Sequence, residues 1–119
     1  MAGTGVWRIE NVDRRLVLAD RAWVAQGFWQ RGVGLLGHTE LAGGEGLILD
    51  PCGSVHTFGM RFAIDVVHLD GTGRVLQVAA HLPPWRVGPL RRGVRVVIEL
   101  PAGGAGPTAA GDRVRWARD

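Results

Sequence analysis

Arg61-Phe62-Ala63-Ile64-Asp65-Val66-Val67-His68-Leu69-Asp70 is the stretch that decides the fold. Side chains of an extended chain point alternately to opposite sides, so Phe62, Ile64 and Val66 share one face and Ala63, Asp65, Val67 and Leu69 the other. Both faces are largely apolar, the pattern of a strand buried between layers. Gly71-Thr72-Gly73 follows, with glycines free to take positive φ and close a hairpin onto Val75–Ala80. A buried strand that turns tightly onto a second one predicts a β-rich domain.

The flanking sequence fits this reading. Val94, Val96, Ile98 and Leu100 alternate with Arg95, Val97 and Glu99, which predicts a strand with one apolar and one mixed, half-solvated face. Gly111-Asp112-Arg113-Val114-Arg115-Trp116 repeats the pattern of a turn glycine followed by alternation, and Ala102–Gly111 between them reads as a flexible loop. Glycine and proline punctuate the chain every few residues, and the segments between are rich in Val, Leu and Ile, which favours many short strands. One segment has near-helical spacing, Ala25–Leu36, with Phe28, Gly32, Leu35 and Leu36 on one side. Its glycines each cost about 1 kcal/mol relative to Ala, so that helix needs tertiary packing to hold. The expectation is one domain over residues 1–119, a compact antiparallel β-sandwich or flattened barrel with one short α-helix near Ala25–Leu36.

The chain has 119 residues, enough for one core and too few for two ordinary domains. Hydrophobic residues make up 46% and charged residues 21%, which excludes a disordered composition. Fourteen basic and eleven acidic residues give a formal charge of +3, yet the isoelectric point is about 10.9. All fourteen basic residues are Arg and Tyr is absent, so little titrates between His and Arg and a modest excess persists to alkaline pH. The isoelectric point is therefore no sign of nucleic-acid binding. A single cysteine cannot form an internal disulfide. No run reaches the length of a spanning helix, and Met1 to Asn11 lacks the apolar run of a signal peptide, so a cytoplasmic protein is expected.

Read in order, the short motifs resemble a known family. Arg31 with Gly34-Leu35-Leu36-Gly37 is similar to an Arg-x-x-Gly-Leu-Met-Gly-Arg motif, with Leu36 in place of Met and His38 in place of the final Arg. Gly46-Leu47-Ile48-Leu49 resembles a Gly-Met-Leu-Phe strand. Thr57-Phe58-Gly59-Met60 followed by Ile64-Asp65 resembles a Phe-Trp-Met signature and Leu-Asp, with Gly59 where Trp is usual. Leu69-Asp70, Gly73-Arg74-Val75, Pro83-Pro84, Ile98-Glu99-Leu100-Pro101-Ala102-Gly103 and Gly111-Asp112 complete a series over residues 31–114. This ordered set resembles the bacterial and archaeal family called domain of unknown function 192. The resemblance implies a mainly β, sandwich-like fold with a short helix, and it implies no activity.

Three sets of residues carry possible chemistry. Cys52, His56 and Met60 are soft ligands within nine residues, a copper or zinc reading. Residues four apart in a regular strand lie about 13 Å apart, so one ion needs tight loops at Gly53 and Gly59. The plainer reading makes Cys52 and Met60 core residues and His56 a hydrogen-bonded polar group. Asp65 sits inside an apolar strand, and a buried carboxylate has to be paired or hydrogen-bonded. Arg31, Arg61 or backbone amides are candidates to satisfy it, which makes Asp65 a structural pin. The enzyme alternative uses His56 and Asp65 as acid and base in a shared cleft. Glu99 is expected to project from the mixed face of its strand and pair with Arg95 or a neighbouring Arg. No P-loop, nucleophile elbow, HExxH or repeated CxxC pattern is present, so no cofactor is implied.

The remaining signal is His81–Arg95, which holds four Arg, three Pro and no acid. Such a loop can recognise an anion, with Arg making bidentate contacts and Trp85 a stacking face. In the plainer reading the loop is solvated and Trp85 folds over the sheet edge. Few phosphate contacts fit on one short loop, so nucleic acid is disfavoured against a small anion or a protein. The other 104 residues carry ten Arg against eleven acids, a nearly neutral body. The function expected is that of a non-catalytic ligand- or protein-binding module, with Arg31, His56, Met60, Asp65, Trp85, Arg86 and Glu99 as ligand-binding candidates.

Overall fold

The computed structural model describes residues 7–25, 41–53, 61–86, 88 and 91–118. Seven strands form one sheet: β1 (Trp7–Asn11), β2 (Leu16–Ala25), β3 (Glu45–Leu49), β4 (Ile64–Leu69), β5 (Val75–Leu82), β6 (Val96–Pro101) and β7 (Val114–Arg118). Their order across the sheet is β5-β4-β6-β3-β2-β1-β7. Every pairing is antiparallel except β2 with β3, which run parallel from Arg21↔Glu45 to Ala25↔Leu49. The stretch that decided the fold forms β4, a hairpin partner of β5 through the expected turn. Asp70 holds that turn, its Oδ1 accepting from the Thr72 amide at 2.8 Å and hydroxyl at 2.7 Å and from the Arg74 amide at 3.1 Å.

One expectation needs correction. The domain is a single mixed sheet and not a pair of packed antiparallel sheets. The sheet curls until its two edges meet at one end, where Arg74 bridges Arg113 just ahead of β5 and β7. The Val75 amide donates to Asp112 O and the Val114 amide to Gly73 O, both at 2.8 Å. The flattened-barrel idea was thus nearer than the sandwich, and the result is a half-barrel. The expected helix near Ala25–Leu36 falls almost entirely outside the described residues. Ala25 ends β2, residues 26–36 lie outside the described residues, and no helix occurs among the described residues. Among them there is also no helix long and apolar enough to cross a membrane.

Alternation sorts the side chains onto two faces. The inner face carries Ile9, Leu18, Ile48, Val67, Leu69, Val75, Ile98, Leu100 and Val114, drawn from all seven strands and closed within the curl. Gly46 lies among them, where a Cβ would meet Leu100 Cδ2 at 3.1 Å and Ala19 Cβ at 3.3 Å, so only glycine lets the layers approach this closely. The outer face carries Ala25, Leu47, Leu49, Ile64, Val66 and Val97 with buried Leu41. Residues Ala102–Gly111, expected to be a flexible loop, instead form successive turns that seat Ala105 in the inner cluster and bury Thr108. Thr108 Oγ1 accepts from Asn11 Nδ2 at 3.0 Å, which ties these turns to β1.

Candidate functional site

Two carboxylates flagged in the sequence lie on opposite faces of the sheet. Asp65 points inward and is buried. Its Oδ1 accepts from the His81 amide at 2.8 Å and its Oδ2 from the Ala105 amide at 3.0 Å. Both oxygens thus serve backbone donors, one at the end of β5 and one in the 101–112 turns. A carboxylate holding two fixed amides is poorly placed to accept a substrate proton.

Glu99 points outward from the central strand β6, between Leu47 of β3 and Val66 of β4. The sequence suggested an exposed acid paired with Arg95, and this is corrected: Glu99 is 4% exposed, and no ion pair to it occurs among the described residues. Neighbouring strands cover it on both sides, and the mixed face is an apolar cluster. Burial pushes its carboxyl up to about 7, because the charged form loses its hydration.

His68, which the sequence reading passed over, lies on the same face. It pairs with Val97, two residues from Glu99 along β6, so the two side chains are diagonal neighbours, about 7–8 Å apart at the backbone. His68 is fully buried, and neither ring nitrogen has a hydrogen-bond partner. Burial lowers its pKa and leaves the imidazole neutral; the Gln77 backbone offsets this in part without forming a well-aligned bond. The signal available in the sequence was weak: one more polar residue in an apolar run.

Trp23, Cys52, Phe62, Leu82 and Val94 are half-buried at the rim of this face. Leu82 and Val94 are also the roots of the cationic loop. It leaves β5 at Leu82, opposite Ile64, and returns at Arg95, whose amide donates to Leu69 O at 2.8 Å. The loop therefore spans the length of β4. His81 and Trp85 hold left-handed backbone angles, φ +52° and +64°, rare for bulky residues. Trp85 is 64% exposed, so it does not fold over the sheet edge. Arg86, Arg91, Arg92 and Arg95 are exposed with it.

The candidates Arg31, His56 and Met60 lie outside the described residues. Cys52 is half-buried against the outer cluster, and its amide donates to Arg95 O at 2.7 Å. Among the described residues no three His, Cys, Asp or Glu side chains converge as metal ligands.

Residues 9–116 match the family of domain of unknown function 192, described as "Uncharacterized ACR". The chain belongs to the DUF192 family. That match spans all seven strands, whereas the sequence motifs began only at Arg31. A DUF192 chain from this family brings a fold without an established activity. The structure is similar to a crystal structure of a protein of unknown function from Novosphingobium aromaticivorans, with TM-score 0.77 and 25% identity over 92% of this chain and 83% of that one. It is also similar in fold to a "putative transcription regulator" from Sinorhizobium meliloti, with TM-score 0.75 and 20% identity over 92% and 91% of the two chains. No curated protein matches the sequence significantly.

Proposed function

We propose that this DUF192 domain is a non-catalytic binding module that recognises an anionic group, borne by a small molecule or a protein, through the loop 83–95. The observation that carries this reading is Trp85, exposed in a strained left-handed conformation on a loop rich in Arg and free of acids. Strain of this kind persists where the surroundings enforce it, and it clusters at binding elements. Here the enforcement is visible at the root, where Asp65 anchors the His81 amide and so fixes how the chain leaves β5. Trp and Arg are also the residues most enriched in binding hot spots. The body of the domain is nearly neutral, so the loop sets where an anion arrives.

The two other readings, acid–base chemistry through His56 and Asp65 and metal binding through Cys52, His56 and Met60, share His56, and no observation favours them. A bacterial, cytoplasmic setting belongs to this proposal as the sequence expectation. The test is titration of the full chain with citrate and with a hexaglutamate peptide, followed by the Trp85 indole NMR signal at low and high salt. The expected result is saturable binding that salt weakens and that Trp85→Ala or Arg86→Ala reduces at least about fivefold. Those variants leave the melting temperature unchanged. Binding indifferent to both substitutions, or none at low salt, overturns the reading.

A further inference from the structure

The loop 83–95 presents more than a small anion needs. Trp85 keeps 64% of its surface in water, the largest exposure of a large hydrophobic side chain among the described residues. Arg86 beside it, and Arg91 and Arg92 on the returning limb, are exposed as well, and residues 81–95 contain no acid. Arg95 counts for less, because its backbone bonds to Leu69 and Cys52 set it beside the segments that hold Asp70 and Asp50. The two roots of the loop stand at opposite ends of β4, Leu82 opposite Ile64 and Arg95 bonded to Leu69. Five strand steps separate them, about 17 Å, a width that exceeds a small anion.

We propose that this loop docks the domain on the surface of an anionic lipid membrane, with Trp85 seated at headgroup level and Arg86, Arg91 and Arg92 against the lipid phosphates. The inference rests on the loop's reading as an anion-recognising element and names the bearer of the anion. Tryptophan is the side chain enriched at the membrane–water interface, where its ring meets acyl chains and its N–H meets headgroups. Clustered cations are drawn to an anionic leaflet, each Arg near the surface strengthening partitioning roughly fivefold. Three of them give on the order of a hundredfold, a contact that is reversible and that salt screens. A field of mobile phosphates meets cations on two separate limbs without a set register, whereas a protein partner needs a carboxylate fixed opposite each one. The Asp65 bond to the His81 amide, at 2.8 Å, fixes the exit from β5 before docking, so less order has to be gained on the surface. The rest of the chain is nearly neutral, so the loop also sets which way the domain faces the membrane.

The test is sedimentation of the full chain with vesicles of phosphatidylcholine holding about 30% phosphatidylglycerol, and with pure phosphatidylcholine vesicles, at about 50 mM and about 500 mM salt. Partitioning is expected to be at least about tenfold stronger on the anionic vesicles at low salt and to be lost at high salt. Replacing Arg91 and Arg92 together by Ala is expected to weaken it at least about tenfold, and Trp85→Ala at least about threefold. Lipids brominated high on the acyl chain are expected to quench the wild-type Trp fluorescence and to leave that of Trp85→Ala unchanged. Should a variant fail to fold, quenching of the wild type alone decides, since it is expected on anionic vesicles at low salt and not on phosphatidylcholine. Overturning results are no partitioning onto anionic vesicles, equal partitioning onto both kinds, no quenching, or indifference to the substitutions. Displacement from the vesicles by micromolar hexaglutamate also overturns it and assigns the surface to an acidic protein. Binding of citrate or hexaglutamate without vesicle binding sinks the membrane inference and leaves the anion reading of the loop standing, whereas silence toward vesicles and soluble anions alike removes both.

Discussion

The Asp65 carboxylate accepts the His81 amide at 2.8 Å across the hairpin of β4 and β5, and His81 has a positive φ. A second oxygen takes the Ala105 amide, so one side chain fixes both a strained strand end and the turns that plug the curl. Asp65→Asn replaces one acceptor by an N–H donor facing a buried N–H. The expected loss is about 2–3 kcal/mol, since hydrogen bonds to a charged group are lost and a buried donor is stranded. For a domain of this size the melting temperature falls on the order of 10 °C. Unchanged stability, measured by calorimetry, would falsify the pin.

Closure of the half-barrel depends on Gly73. Its φ is +92°, and a Cβ there would sit 2.6 Å from Val114 O, the carbonyl of the opposite edge strand. Neither the backbone angle nor that carbonyl can give way without breaking the Val114 amide bond to Gly73 O. Gly73→Ala is expected to destabilise by at least about 2 kcal/mol, the scale of enforced left-handed strain plus a backbone clash. Gly71→Ala in the same turn serves as the control. Its Cβ would meet Arg95 Cγ at 4.0 Å, an ordinary contact, so urea unfolding is expected to show little change.

What was legible in the sequence was local. Alternation at Ile64–Leu69 and the Gly71–Gly73 turn identified the β4–β5 hairpin, because both signals lie within one hydrogen-bonded unit. Glu99 was misplaced because Arg95, Val97 and Glu99 read alone look half-solvated; only the register with Leu47 on one side and Val66 on the other buries Glu99. His68 was overlooked for a related reason, since its meaning comes from lying diagonal to Glu99 on another strand. The parallel pairing of β2 with β3 and the meeting of the edges at Arg74 and Arg113 are long-range, and no short window carries them. Ala102–Gly111 has the composition of a linker, yet amides bonded to Asp65 and Asp112 order it.

Asp112 forms a second polar junction, and it sets an acid limb to stability. Its Oδ2 accepts from Arg14 Nε at 2.6 Å and from Asn11 Nδ2 and the Ala109 amide at 3.0 Å each. The Arg14 and Asn11 hydrogen bonds hold its pKa down at about 2 against an ordinary 3.8. A lowered carboxyl stabilises the fold above its unfolded pKa and loses that contribution as pH falls through the folded value. Urea midpoints should therefore drop between pH 5 and pH 2 more steeply in the wild type than in Asp112→Asn. Equal slopes in the two proteins would show that Asp112 does not sense the fold.

Glu99 works in the opposite sense, and its effect falls at ordinary pH. Its folded pKa of about 7 lies above the 4.5 of an exposed glutamate, so between these values the folded state keeps a proton that the unfolded state has released. Stability therefore falls as pH rises from about 4.5 to about 7 and levels off above, where both states are ionised. The total loss is on the order of 3 kcal/mol for a carboxyl this deeply buried. Glu99→Gln keeps the shape and a neutral polar end without ionising. At pH 5 the variant should match the wild type to within about 1 kcal/mol, and at pH 8 it should be the more stable of the two. Urea denaturation at the two pH values decides the matter: a variant less stable than the wild type at pH 8 would mean that ionised Glu99 has a compensating partner on the outer face.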